Sequence, residues 1–178
     1  MTPRRRLLVA GSVLGLAALA IGLAIGIRGL DARSGAREAD AAALLAVALP
    51  DLQGREQPLG QWKGKVLVVN FWATWCAPCR EEMPAFVRIQ SDLGPKGVQF
   101  VGIAVDQPDK VAQFVAELSL NYPALIGGYG AMELSKSLGN RLMALPFTLV
   151  IDRGGTVANV RLGPFKEAEL RTIVGQLL

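Results

Sequence analysis

Hydrophobic and polar positions divide the chain into three stretches. From Leu7 to Ile27 there are 21 consecutive uncharged residues, dominated by Ala, Leu and Gly. From Arg28 to Ala43, Asp, Arg, Gly, Ser and Ala follow one another with little apolar periodicity, which predicts a tether over 29–44. Beyond it, apolar runs alternate with amphipathic stretches, and a folded domain is expected over 45–178.

Within that domain Leu49–Arg55 reads as a short strand entering a turn, and Leu59–Gly64 as a second turn. Val66–Trp72 is almost wholly β-branched, aromatic or aliphatic, the mark of a strand buried on both faces. The period then changes. Met83, Phe86, Val87, Ile89 and Leu93 share one side of a helix beginning near Ala77, which Gly94-Pro95 is expected to stop. Val98–Val105 reads as another buried strand. Asp109–Leu118 reads as a helix with Val111, Phe114, Val115 and Leu118 inward, and Met132–Leu138 as a shorter one ended by Gly139. Phe147–Ile151 and Val157–Leu162 flank Asp152-Arg153-Gly154-Gly155, a hairpin signal. Glu167–Leu178 closes the chain as a helix. This order predicts an α/β fold with a mixed central sheet.

The first apolar run is long enough to cross a bilayer, for which about 20 residues suffice. Arg4-Arg5-Arg6 precede it, as a basic region precedes an export signal or anchor. It exceeds the roughly 7–15 residues of a cleavable signal core. Ala39-Asp40-Ala41, a composition suited to cleavage, lies about a dozen residues downstream. An uncleaved transmembrane anchor over 1–28 is therefore expected. Flanking charges do not orient it, since Arg28, Arg33 and Arg37 follow the span closely. Arg4, Arg5, Arg6 and Arg28 account for the whole net charge of +4; beyond them 15 basic and 15 acidic residues balance. No basic stripe is left to follow a phosphate backbone, which argues against nucleic-acid binding.

Two cysteines and no histidine narrow the chemistry further. A closed structural zinc site needs four Cys or His ligands, so no metal site is expected. Histidine-based triads are impossible, and haem attachment through Cys-x-x-Cys-His fails because Arg80 follows Cys79. Cys76 and Cys79 fall where a buried strand gives way to a helix, with Pro78 in the first turn. A sulfur there faces unpaired N–H groups and the positive end of the helix, which favours thiolate over thiol. The second cysteine, one turn inward, can close a disulfide with the first. Such a pair performs exchange, with Cys76 attacking a substrate disulfide and Cys79 resolving the mixed disulfide.

Asn70-Phe71-Trp72-Ala73-Thr74-Trp75-Cys76-Ala77-Pro78-Cys79-Arg80-Glu81-Glu82-Met83-Pro84 resembles the active-site segment of the TlpA/ResA-like proteins of the thioredoxin superfamily. The resemblance implies a thioredoxin-like fold with a helical insertion around 106–139. It also implies a redox-active Cys76–Cys79 disulfide as the sole redox group, without a further cofactor. Pro146 in Ala144-Leu145-Pro146-Phe147-Thr148 matches the proline whose preceding bond is cis, with Leu145 lining a substrate groove. Trp75, Ala77 and Pro78 would also meet substrate. Glu82 matches a carboxylate that tunes the cysteines and carries protons; three residues from Cys79 on a helix, it shares its face. Asn70 stands where thioredoxins proper generally hold a buried Asp, leaving Glu82 as the ionisable group. Trp72 and Trp75 are expected to shape the surface around Cys76, and Trp62 to serve packing.

The implied activity is that of a thiol–disulfide reductase. It would be single-pass in a bacterial inner membrane, with its catalytic domain on the periplasmic side. Implied partners are apocytochrome c or copper-delivery proteins as substrates and a membrane electron donor of the CcdA/DsbD type. Three other readings compete. A tethered chaperone would grip clients in the Pro146 groove without using the cysteines. A Cu(I)-handling module would use the two thiolates as soft ligands. A peroxiredoxin-type peroxidase would need a Pro/Thr-rich approach to a single reactive Cys, a place taken here by Trp75-Cys76-Ala77-Pro78-Cys79.

Overall fold

The computed structural model describes residues 41–178. The anchor expected over 1–28 lies outside them, as does most of the expected tether. Among the described residues no helix is long and apolar enough to cross a membrane. Residues 41–45 are helical, and Ala41 and Leu44 are fully buried in the core.

Two short strands come first, β1 (Ala48–Pro50) and β2 (Glu56–Pro58), paired antiparallel as a separate hairpin. Asp51 closes their turn, its Oδ1 accepting the amides of Gln53 and Arg55 at 2.9 Å each. A 3₁₀ turn, Leu59–Trp62, leads into β3 (Val66–Trp72). There follow α1 (Ala77–Leu93), β4 (Val98–Ala104), α2 (Pro108–Leu118), β5 (Ala124–Ile126) and α3 (Gly130–Ser137). The chain ends with β6 (Phe147–Ile151), β7 (Val157–Leu162) and α4 (Glu167–Gln176).

The main sheet has the order β5-β4-β3-β6-β7. β3 pairs in parallel with β4, and β4 with β5; β6 runs antiparallel to β3 and to β7. All seven residues of β3 are buried, as its unbroken apolar run predicts for a central strand. Parallel pairing demands a crossover, which α1 supplies between β3 and β4. This topology brings the C-terminal ends of β3, β4 and β5 to one edge of the sheet, together with the N-terminal end of β6.

The α-helix ends at Leu93, directly before Gly94-Pro95 as expected, and Gly94–Lys96 follows as a 3₁₀ turn. The reversal comes at Gly97, whose φ of 109° suits glycine alone. Two expectations are corrected. The stretch 106–139 is not purely helical, because β5 lies between α2 and α3. Only three residues long, β5 lines the sheet edge, where a bridge between Asp51 and Leu125 docks the first hairpin on it. Trp72 does not shape the surface. It is fully buried and packs its ring against Phe114 at 5.3 Å.

Aromatic contacts knit the helix layer to the sheet: Phe86 on α1 meets Phe100 at 5.2 Å, and Phe100 meets Tyr122 at 5.6 Å. Gly102 makes the Trp72 packing possible, since a Cβ there would sit 2.7 Å from Trp72 Nε1. Gly102→Ala should therefore destabilise the fold by about 1–3 kcal/mol, the range for overpacking a core. Urea denaturation of both proteins measures the difference.

Candidate active site

The redox pair sits at the edge where the strand ends gather. Cys76 is the N-cap of α1, in extended conformation, and proline fills the first turn behind it. Pro78 is tolerated there because the first N–H groups of a helix have no partner to lose. Cys76 and Cys79 form a disulfide. Cys76 is 5% exposed and Cys79 not at all, so Cys76 is the sulfur that a partner reaches. The helix terminus favours negative charge on Cys76, which suits it to attack and to departure as thiolate.

The approach to the pair is held by hydrogen bonds. Thr74 donates its hydroxyl and, at 3.3 Å, its amide to Asp106 Oδ2, tying the loop after β3 to the loop after β4. Burial pulls the Asp106 carboxyl upward. The Thr74 hydroxyl, the amides of Gln107 and Thr74 and the charge of Lys110 outweigh it and hold the group below its usual range.

The Leu145–Pro146 bond is cis, as the resemblance implies. Pro146 is buried and Leu145 half-buried, at the start of β6 and thus at the same edge as the cysteines. Gly163 donates its amide to the Pro146 carbonyl at 2.8 Å, which fixes the loop from its far side. Ala77 is exposed and Pro78 half-buried, both beside Cys76.

Glu82 is buried, 3% exposed, and its two oxygens have separate donors. Asn70 Nδ2 reaches Oε1 at 3.0 Å, and the Phe165 amide reaches Oε2 at 2.8 Å. Asn70 Nδ2 also donates to Thr148 Oγ1 at 2.9 Å. Burial raises the Glu82 carboxyl to about 7, and the bonds from Phe165 and Asn70 with the charge of Arg161 only partly offset it. A carboxyl poised there can accept or release a proton near neutral pH. It lies one turn from Cys79 on the same helix, where i and i+3 side chains meet. Asn70 itself cannot ionise, so the buried site holds one carboxylate.

Thr148 and Phe165 were not among the expected site residues. Neither carries a sequence signal, because each is 66 or more positions from Glu82 along the chain and acts through one polar atom. Two further residues went unread. The three most exposed large apolar side chains of the described residues are Tyr129 at 93%, Leu142 at 77% and Trp75 at 67%. All three lie on loops at the cysteine edge. Trp75 and Tyr129 wall a cavity of about 330 Å³ with Val105, Pro108, Lys110 and Ile126. Trp62, by contrast, packs half-buried against the core. Among the described residues no group of three or more His, Cys, Asp or Glu converges to hold a metal ion.

A disulfide at the head of the helix after the central strand, at the same end of the sheet as a cis-proline loop, places the molecule among the proteins of thioredoxin fold. Comparison with known sequences agrees. The Redoxin family profile matches residues 38–177. The thiol-disulfide oxidoreductase ResA of Bacillus thuringiensis subsp. konkukian is 36% identical over 108 residues, 60% of each chain. That of Geobacillus thermodenitrificans is 31% identical over 124 residues, 69% of each. A thiol:disulfide interchange protein from Chlorobium tepidum TLS superposes with a TM-score of 0.67 at 31% identity, covering 74% of this chain and 92% of that one. The match thus spans 60% of the length of the first of these relatives. The chain belongs to the Redoxin family and is a TlpA/ResA-like member of the thioredoxin superfamily.

The Glu82 carboxyl carries a stability signature. Between its ordinary value of 4.5 and about 7, the folded state keeps a proton that the unfolded chain has lost. Stability must then fall as pH rises through that window, by about 3 kcal/mol in all. Glu82→Gln, which cannot ionise, should lose this slope. Urea midpoints measured from pH 4 to 8 on the oxidised proteins should fall for the parent and stay level for the variant.

Proposed function

We propose that this protein is an exported, membrane-anchored thiol–disulfide reductase. The observation that carries the reading is the pairing of a helix-capping Cys76 with a buried carboxyl poised near neutrality behind Cys79. In the reduced protein the Cys76 thiolate attacks a client disulfide, forming a mixed disulfide and releasing one client sulfur as thiolate. Cys79 then gives its proton to Glu82 and attacks the Cys76 sulfur of the mixed disulfide. The second client sulfur leaves, and Cys76–Cys79 is the oxidised product. Two electrons have passed to the client, and a donor dithiol must return them.

The basic segment and the uncharged run of 21 residues at the amino terminus support a single-pass anchor in a bacterial inner membrane. A disulfide-exchange pair suits an oxidising compartment, which favours the periplasmic side for the domain. Electrons would come from a membrane donor of the CcdA/DsbD type. The apolar rim of Trp75, Tyr129 and Leu142 fits an unfolded, cysteine-bearing segment, as apocytochrome c or a copper-delivery protein would present.

Equilibration of the full chain against defined thiol/disulfide buffers tests the direction of flow. A potential near or below about −270 mV is expected of a reductase, and one toward about −120 mV would make the protein an oxidant. Cys79→Ser should also accumulate mixed disulfides with cysteine-bearing peptides on non-reducing gels, whereas Cys76→Ser should form none.

A further inference from the structure

On the sheet face beneath α1 one line of paired residues crosses from the central strand to the edge. Asn70 on β3 lies opposite Gly102 on β4 and opposite Thr148 on β6, and Thr148 lies opposite Arg161 on β7. Residues directly opposite in a sheet share a face. The line therefore runs from the buried centre to the sheet edge, and Glu82 lies over its middle through the Asn70 bond.

Arg161 is the charged end of that line. Its guanidinium stacks on the Phe165 ring, 5.0 Å from the centroid. The same Phe165 donates its amide to Glu82. From the outside, Arg161 pairs with Glu169 on α4 at 2.6 Å, and both side chains are little more than one third exposed. Arg161 thus stands between Glu82 and solvent at the edge away from Trp75 and Tyr129.

We propose that Arg161 is a positioning residue for Glu82. Its charge, divided between Glu169 outside and the Glu82 carboxyl inside, sets the proton affinity of that carboxyl from the solvent edge of the sheet. The other ionisable group close to Glu82 is Tyr122, whose hydroxyl burial and the Glu82 charge keep neutral. Tyr122 therefore adds no compensating charge. Glu169 acts in opposition to Arg161, by neutralising it. The consequence for exchange rests on the reading of Glu82 as the proton carrier for Cys79; the titration of Glu82 does not.

The experiment follows the Glu82 carboxyl by ¹³C NMR through a pH titration of the oxidised full chain and three variants. Arg161→Gln should move the midpoint upward and Glu169→Gln downward, each by roughly half a pH unit, as expected for loss of one partly screened charge. Arg161→Lys, which keeps the charge and loses the flat stack on Phe165, should stay near the parent. Midpoints that do not move, that move in the same direction, or that shift alike for Lys and Gln at 161 would overturn the assignment. If Arg161→Gln does not fold, the downward shift in Glu169→Gln decides alone. Disulfide exchange with a peptide client, measured over the same pH range, separates the two claims. If the titration shifts while the pH profile of the parent and variants coincides, Arg161 is confirmed and Glu82 is not the proton carrier.

Discussion

Complete burial of β3 is the constraint on which the rest of the molecule rests. Seven successive residues without access to water must be covered on both faces and paired on both edges. The parallel partner β4 requires the α1 crossover, and α1 must start where β3 ends. That junction is the redox site. The burial that stabilises the fold therefore also fixes Cys76 at a helix terminus.

The same burial makes the polar residues of the strand costly. Asn70 is almost fully buried, and its amide group is kept by bonds to Glu82 and Thr148. An unpaired buried polar group costs about 1–3 kcal/mol, so such a cluster persists in a core when its members satisfy one another. Here satisfaction is incomplete: Asn70 Oδ1 and Trp72 Nε1 have no protein partner. An apolar residue in place of Glu82 would relieve the desolvation but leave the Phe165 amide without its acceptor and Asn70 with one bond fewer.

The exposed rim tells a related story from the surface. Trp75, Tyr129 and Leu142 come from three different loops, after β3, after β5 and before β6. Single exposed apolar residues are ordinary, but Trp75 and Tyr129 share the wall of one cavity, which groups apolar surface beside the cysteine-bearing loop. Each loop is held by its own bonds: Thr74 to Asp106 beside Trp75, Gly127 and Gly128 to the Ala104 carbonyl before Tyr129, and Asn140 to both backbone groups of Ala144 around Leu142.

By itself the sequence determined the elements whose signals are local. The buried strand Val66–Trp72, the helix after it, the terminal hairpin and the reactive pair are each written in a run, a period or a short spacing. β5 escaped notice because three residues between Pro123 and Gly127 carry too little periodicity to separate a strand from a turn. Gly94-Pro95 was legible as the stop of α1, because proline ends an α-helix yet is at home in the first turn of the 3₁₀ segment that follows. Cys76, Cys79, Glu82 and Pro146 were legible from one continuous motif and one short segment. Thr148, Phe165, Arg161 and Tyr129 were not. Only the tertiary structure decided their roles, since the registers and crossovers that bring residues 70, 82, 148, 161 and 165 together are set by packing of whole elements. The energy of that packing is non-directional along the chain, and no local pattern records which distant amide will meet a buried carboxylate.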